Sequence, residues 1–309
     1  MYKPIRKKVS KLLRAFNSYY KLSGSDRINL KDLDAFFRYI SSHDNESNNS
    51  IDDSYGEQIY LIVLLLTVFG SLALLLEDIA SSKDGHDNTI LKSNFSARDI
   101  HLCGFLTNIC NTASAALSLI KKGYDTQSRV LVRSMEERIY QCIVLFACSE
   151  DYAEWDRAEK MVDAKATHYK LFAKKGRLLN KMRVLEKKYL KVSDHDNTLK
   201  AWRKENQAYY SMAVHGSNTA VMVGSSSGSL HDDELVCFPN LFGVVSNYSE
   251  ATLEHIISLL HTLLMMLPKI LADVHQWTPK CETDFERLYV ASLGLACKFV
   301  GDWILRKYE

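Results

Sequence analysis

Apolar residues recur at helical spacing along most of the 309-residue chain. The pattern predicts helices over 4–22, 28–42, 56–80, 96–121, 125–148, 150–191, 198–214, 249–275 and 282–307. Polar stretches without periodicity predict loops at 43–55 and 81–95, and 216–233 is the least helical part. A short strand or an irregular segment is predicted at 234–246. The fold class is therefore all-α, a multi-helix bundle with long central apolar helices and little or no sheet.

The boundaries of the central helices carry recognisable signals. Ser96 and Asp99 have the spacing of a capping box, and Gly123 is placed to end the helix that begins there. The chain holds only 4 Pro and 13 Gly, which is typical of long helices rather than many short strands. We interpret residues 1–55 as a basic helical appendage and 56–309 as the bundle domain, with one continuous domain as the alternative.

Residues 59–76, "IYLIVLLLTVFGSLALLL", form the most apolar stretch of the chain. Eighteen uncharged residues lie at the lower edge of what a membrane span needs. Glu57, Glu77 and Asp78 bound the stretch closely, and a helix at the centre of a bundle is also apolar on every face. A buried core helix is the favoured interpretation, and a membrane anchor is the alternative.

Composition narrows the class of protein further. The net charge is +2, without the strong excess of positive charge found in proteins dedicated to nucleic acid. The seven cysteines are odd in number and form no C-x-x-C pair, a pattern typical of free thiols in a reducing compartment. No signal peptide is recognisable, so a cytoplasmic location is predicted. No cofactor and no metal-ligand spacing is predicted.

Two segments concentrate positive charge. Residues 1–21 carry Lys and Arg but no acidic residue, and residues 165–191 carry ten Lys or Arg against one Glu. Such segments bind nucleic acid, an acidic partner protein or an anionic membrane surface, or they form solvated helix faces. Partner binding through both segments is a hypothesis, with a homo-oligomer left open and a membrane less favoured.

The helix over 125–148 carries the main candidate site. Arg129, Arg133 and Glu137 are spaced by four residues and therefore share one helix face. Ser211 and His215 are also four residues apart in the segment "YYSMAVHGS". A carboxylate beside His215 would fix its tautomer and raise its pKa, so we expect Glu137 to be its partner.

These two segments, "GYDTQSRVLVRSMEE" and "YYSMAVHGS", resemble a family of uncharacterised bacterial helical proteins. That family shares an Arg-Ser-x-x-Glu helix, here Arg133 to Glu137, and a later Ser-x-x-x-His segment, here Ser211 to His215. The resemblance covers about residues 97–220. Related helical families are found in anti-phage or abortive-infection loci and are compared with HEPN domains, which include many RNases. The resemblance therefore implies a role in defence.

HEPN RNases carry an Arg and a His separated by four to six residues on one helix. The only match here is Arg38 to His43, which lies outside the family-like region and has the frequency of a chance match. His215 has no Arg within seven residues upstream, and the nearest is Arg203. The chain therefore departs from the HEPN RNase pattern at its own candidate histidine.

Three functions remain open from the sequence. The first is a nucleic-acid-directed defence effector, and if it is an enzyme it is a metal-independent ribonuclease. In that hypothesis His215 is the general base, Arg133 contacts phosphate, Glu137 orients the histidine and Ser211 completes the site. The second is a non-catalytic interaction module in which the same residues form a structural network. The third is a protein anchored in a membrane through 59–76.

Overall fold

The computed structural model describes residues 3–83, 89–91, 96–158, 161–191, 206, 210–211, 226–231, 234–239 and 247–308. Its helices are α1 Lys3–Tyr19, α2 Leu30–Ala80, α3 Ala97–Lys121, α4 Asp125–Ala147, α5 Ser149–Asp156, α6 Met161–His168, α7 Arg177–Leu190, α8 Asn247–His275 and α9 Asp284–Tyr308. Its strands are β1 Ser81–Lys83, β2 Thr89–Leu91, β3 Ser226–His231 and β4 Glu234–Pro239. The prediction of an all-α bundle with little sheet is confirmed.

Five long helices form the core of the bundle. Helix α2 packs against α3, α8 and α9, and α4 packs against α3, α7 and α8. Their facing side chains are almost completely buried, for example Leu65 and Phe69 of α2, Leu106 of α3 and Ile256 of α8. Removing this much apolar surface from water is the main stabilising contribution to such a bundle.

The strands form two antiparallel hairpins. Strand β1 pairs with β2, and β3 pairs with β4 in the register Ser226 to Pro239 through His231 to Glu234. Of the two alternatives predicted at 234–246, the strand is therefore present, as β4. Its partner β3 lies in the segment that the sequence marks as least helical.

The turn between α3 and α4 sets the start of the candidate site. Gly123 has a positive φ of 75°, and its N–H donates to the Ile120 carbonyl at 2.8 Å. The Tyr124 N–H donates to the Leu119 carbonyl at 2.8 Å, which completes a Schellman motif. Gly123 therefore ends α3 as predicted. Ser96 precedes the first residue of α3, but its side chain makes no capping hydrogen bond.

Two predicted boundaries along the chain are wrong. Residues 43–55, predicted as a loop, belong to α2, which bends at Tyr55 where φ is −130° and ψ is 25°. Ile51 and Ser47 are buried within that stretch, so tertiary contacts override its polar composition. The predicted helix over 150–191 is instead divided into α5, α6, a π-helical turn at Tyr169–Ala173 and α7. The division between residues 1–55 and 56–309 stays a prediction.

Among the residues that the structure describes, four helical stretches are long and apolar enough to cross a membrane. They are Ser47–Ile79, Ala97–Lys121, Tyr248–His275 and Asp284–Lys307. The bundle buries 61% of the most apolar window in the first and third of them, but only 33% and 28% in the second and fourth. The apolar run of 59–76 thus contributes to the core, while a cytoplasmic location stays a prediction that these four stretches call into question.

Candidate functional site

The face of α4 that meets α8 carries an unusual row of charged residues. Asp125, Arg129, Arg133 and Glu136 follow one another at intervals of three or four residues, which places them on one side of the helix. Asp125, Arg129 and Glu136 are only 5%, 3% and 1% exposed. Charged side chains are buried to this extent only when neighbouring groups compensate the lost hydration. We call this set, with Glu137 and the α8 side chains that meet it, the α4–α8 network.

The first half of the network joins Asp125 to Arg129 and Thr252. The Nε of Arg129 lies 2.8 Å from Oδ2 of Asp125, as an ion pair outside hydrogen-bond alignment. The Thr252 hydroxyl donates to Oδ1 of Asp125 at 2.8 Å, which ties α8 to the first turn of α4. Burial raises the pKa of Asp125, because its loss of hydration outweighs the attraction of Arg129 and the hydrogen bond from Thr252.

The second half of the network is centred on Arg133. One guanidinium nitrogen donates to Oε2 of the buried Glu136, and the other lies 3.0 Å from Oε1 of Glu137. The Arg133 side chain is 23% exposed and that of Glu137 is 50% exposed, whereas Glu136 is enclosed. The structure therefore brings the two predicted residues Arg133 and Glu137 together and adds a second carboxylate to the same arginine. Their catalytic role stays a prediction.

His255 of α8 lies within the field of Arg133 and is only 3% exposed. Burial lowers its pKa to about 3, and the positive charge of Arg133 adds to the effect. The ring of Tyr210 stacks on the imidazole, with centroids 4.6 Å apart and planes at 24°. His255 is therefore a neutral, enclosed histidine at ordinary pH, and a poor proton carrier.

The second predicted motif reaches this interface through Tyr210. Tyr210 is 1% exposed, and Ser211, the next residue, is half-buried and has helical backbone. Tyr210 thus lies beside the α4–α8 network, and the pairing of the rest of the motif with α4 stays a prediction. His215 lies outside the described residues, so its expected contact with Glu137 stays a prediction.

Four residues of the network are not among the predicted site residues: Asp125, Arg129, Glu136 and His255. A continuous polar face along α4 could have been recognised in the sequence. Its residues follow one another at intervals of three or four positions: Asp125, Arg129, Arg133 and Glu136. His255 carries no such signal, because only the packing of α8 on α4 places it near Arg133.

A second polar cluster lies where α3, α4 and α8 meet. The Nδ1 of His275 accepts from Arg98 at 2.9 Å, so its Nε2 carries the proton and donates to the Phe146 carbonyl at 2.8 Å. Arg98 also lies over the ring of Tyr152, 4.8 Å from its centroid. Arg98, His275 and Phe146 border a cavity of about 320 Å³ with otherwise mostly apolar walls. Burial lowers the pKa of His275, which favours the neutral imidazole that these two hydrogen bonds require.

Metal chemistry has no preformed site in the part of the chain that the structure describes. No three His, Cys, Asp or Glu side chains there group closely enough to hold an ion. The clusters at Asp125 and His275 each contain arginine, whose charge opposes a bound cation.

The fold and this network define an all-helical bundle with a buried, charged helix interface. Residues 99–219 match a protein family described as a family of unknown function (DUF5677). The match covers less than half of the chain and includes Arg133, Glu137, Ser211 and His215. This agrees with the predicted resemblance to an uncharacterised family over about the same residues. No curated protein and no solved structure matches the chain.

Proposed function

We propose that this protein is a non-catalytic helical interaction module in which the α4–α8 network holds the bundle together. One observation carries the proposal: Arg133 is bound by carboxylates of its own helix, Glu136 and Glu137. A guanidinium paired in this way has little positive potential left for a phosphate group. The module acts in the cytoplasm and docks its partner through its basic segments.

The two basic segments do not support docking equally. In residues 165–191, Lys181 lies 2.6 Å from Asp151 and Lys188 lies 2.6 Å from Asp273. Lys170 pairs with Glu154 as well. Part of that charge is therefore used to attach α7 and the preceding turn to α5 and α8. Residues 1–21 contain no acidic residue, so they are the stronger candidate for an anionic partner.

A matched pair of substitutions tests the structural role of the network. Glu136→Gln and Glu137→Gln each remove one negative charge beside the same guanidinium. We expect Glu136→Gln to cost about 2 kcal/mol of unfolding free energy, because Glu136 is enclosed, and Glu137→Gln to cost below about 1 kcal/mol, because its pair is half-exposed. Urea denaturation measures both values.

Assays of the wild-type protein and of two arginine variants with single-stranded RNA test the alternative. A structural network predicts no RNA cleavage by the wild-type protein without added metal. Cleavage that Arg133→Ala abolishes at unchanged melting temperature, and that the exposed control Arg138→Ala retains, would overturn the proposal.

The nucleic-acid-directed effector is the second candidate function. It is favoured by Tyr210, which stacks on His255, and by the partly exposed Arg133, whose charge acts on the same histidine. In this candidate His215 is the general base of a metal-independent RNase. Its association with anti-phage defence and with HEPN bundles rests on the sequence resemblance alone.

A further inference from the structure

Helix α1 carries an apolar strip that faces away from the bundle. Leu12, Phe16, Tyr19 and Tyr20 are 69%, 41%, 80% and 59% exposed. With neighbouring α1 side chains they border a shallow groove of about 550 Å³ whose lining is almost entirely apolar. Four large exposed hydrophobic side chains within nine residues are costly in water unless another surface covers them.

The aromatic residues of this strip pack on one another. The ring centroids of Phe16 and Tyr20 are 4.6 Å apart, and those of Tyr19 and Tyr20 are 4.9 Å apart. Tyrosine rings combine an apolar body with a polar hydroxyl, which suits them to the boundary between water and lipid. We call Leu12, Phe16, Tyr19 and Tyr20 the α1 strip.

A basic cavity of about 960 Å³ lies between the end of α1 and the start of α2. Its described lining contains no carboxylate. It contains four cations and five neutral hydroxyl or amide donors: Arg14, Lys21, Arg27, Lys31, Ser10, Asn17, Ser18, Ser23 and Asn29. Arginine and lysine around hydroxyl and amide donors are the groups that bind phosphate in proteins. We call this set the α1 cavity.

The turn that forms the α1 cavity is held in place by specific hydrogen bonds. The amide of Asn17 donates to the Ile28 carbonyl at 2.7 Å, and the Ile28 N–H donates to Asn17 Oδ1 at 3.1 Å. The Nε of Arg27 donates to the Leu22 carbonyl at 3.2 Å. Gly24 adopts a φ of 58°, a left-handed conformation that favours glycine. The four cations are therefore gathered before any ligand binds.

We propose that α1 and its turn dock on an anionic lipid bilayer. The α1 strip enters the boundary between headgroups and acyl chains, and the α1 cavity receives a lipid phosphate group. This rests on the proposed interaction function and names its partner. Seven Lys or Arg and no acidic residue in 1–21 supply the matching charge.

The aliphatic part of the strip favours lipid over nucleic acid. Bases stack on aromatic rings, but an exposed Leu12 and the groove residues Val9 and Leu13 offer no such stacking. Acyl chains accept aliphatic and aromatic side chains alike. A single surface that presents both a phosphate-binding cavity and an aliphatic groove therefore fits a phospholipid better than an RNA strand.

Vesicle co-sedimentation of the purified full chain tests the proposal. The probes are phosphatidylcholine vesicles with and without about 30% phosphatidylserine. We expect sedimentation only with the anionic vesicles. Leu12→Glu with Phe16→Glu, and separately Arg14→Glu with Arg27→Glu, should each weaken binding by roughly tenfold or more, because one removes the inserted surface and the other reverses the charge.

Matched controls place the same substitutions on other exposed positions. Val162→Glu with Val184→Glu changes two exposed apolar residues of α6 and α7. Lys280→Glu with Lys298→Glu changes two exposed cations that lie outside both basic segments. Both controls should bind anionic vesicles within about twofold of wild type. Melting temperatures of all variants establish that they remain folded.

Three results would overturn the proposal. The first is a wild-type protein that stays in solution with anionic vesicles, and the second is binding that survives either α1 variant. The third is binding of single-stranded RNA that only the Arg14 and Arg27 variant loses, without vesicle binding, which would assign the α1 cavity to nucleic acid. None of these results changes the expected stabilities of Glu136→Gln and Glu137→Gln, so failure here is separable from failure of the structural network.

Discussion

The α4–α8 network contrasts with the region of α1 that carries the α1 strip and the α1 cavity. Both regions contain arginine or lysine, but they use these residues in opposite ways. On α4, arginines lie within reach of carboxylates three or four residues away. Asp125, Arg129 and Glu136 are enclosed at the interface with α8, while Arg133 and Glu137 stay partly exposed. On α1, cations occur without any acidic residue, and the apolar strip beside them faces outward. Charge that is compensated within one helix becomes part of the core, and uncompensated charge beside exposed apolar surface remains available to a partner.

The comparison also shows that burying a charge pair and removing one of its members have different energetic costs. Burying Asp125 raises its pKa, so the ion pair with Arg129 is costly rather than strongly stabilising by itself. Once the bundle encloses both charges, however, removing either leaves the other in an apolar setting. The network therefore makes a single arrangement of α4 and α8 favourable, and mutation of its members should be far more disruptive than mutation of α1.

The largest expected effect is at Asp125. Asp125→Asn removes the carboxylate 2.8 Å from the buried Arg129 while it preserves the size of the side chain. We expect a loss of about 3 kcal/mol in unfolding free energy, measured by urea denaturation near neutral pH. Thr252→Val, which removes only the hydroxyl donor, should cost about 1 kcal/mol. Equal losses in the two variants would show that the charge of Asp125 is not what matters.

An intermediate effect is expected from His255 as the pH falls. Its folded-state pKa of about 3 lies below its ordinary value of 6.5, so the unfolded chain takes up the proton first. The stability linked to neutral His255 is complete above about pH 6.5 and is lost as the pH falls towards about 3. By about pH 5, wild type should lose about 2 kcal/mol from this group.

His255→Gln provides the comparison, because glutamine cannot titrate. Its unfolding free energy should fall less steeply than that of wild type between about pH 7.5 and about pH 5, by about 2 kcal/mol over that range. An unchanged slope in His255→Gln would mean that the imidazole takes up protons freely in the folded state.

The smallest effect on stability is expected at the α1 strip. Leu12→Glu with Phe16→Glu should change the unfolding free energy by less than about 0.5 kcal/mol, because both side chains are largely exposed. Chemical denaturation of the double variant measures the change. A loss above about 2 kcal/mol would show that α1 packs its strip on the bundle in solution, which would remove the contrast between the two regions.

Helical periodicity was sufficient to predict most of the bundle, but not its local interruptions. Apolar spacing predicts α3, α4, α8 and α9 at about their observed positions. Gly123 ends α3, because glycine readily adopts the positive φ that the turn requires. Residues 43–55 could not be predicted as helix, because their stability depends on burial of Ile51 rather than on local propensity. The breaks between α5 and α7 similarly depend on tertiary contacts such as Lys181 with Asp151.

The candidate site was predictable only where it lies on one helix. Arg133 and Glu137 are four residues apart, so their contact follows from helix geometry. Glu136 is the more enclosed partner of Arg133, but which of two adjacent glutamates faces α8 depends on how the helix is rotated in the bundle. The approach of His255 and Tyr210 joins residues far apart in sequence, and no local pattern encodes it.

The difference in unfolding free energy between Glu136→Gln and Glu137→Gln tests the central claim most directly. Both variants remove a carboxylate that pairs with Arg133. The difference between their unfolding free energies therefore reports mainly how far each carboxylate is enclosed. A structural network predicts that Glu136→Gln is the less stable of the two by about 1 kcal/mol or more. Equal stabilities, together with RNA cleavage that either variant abolishes, would contradict the claim and identify Arg133 and its carboxylates as a catalytic group.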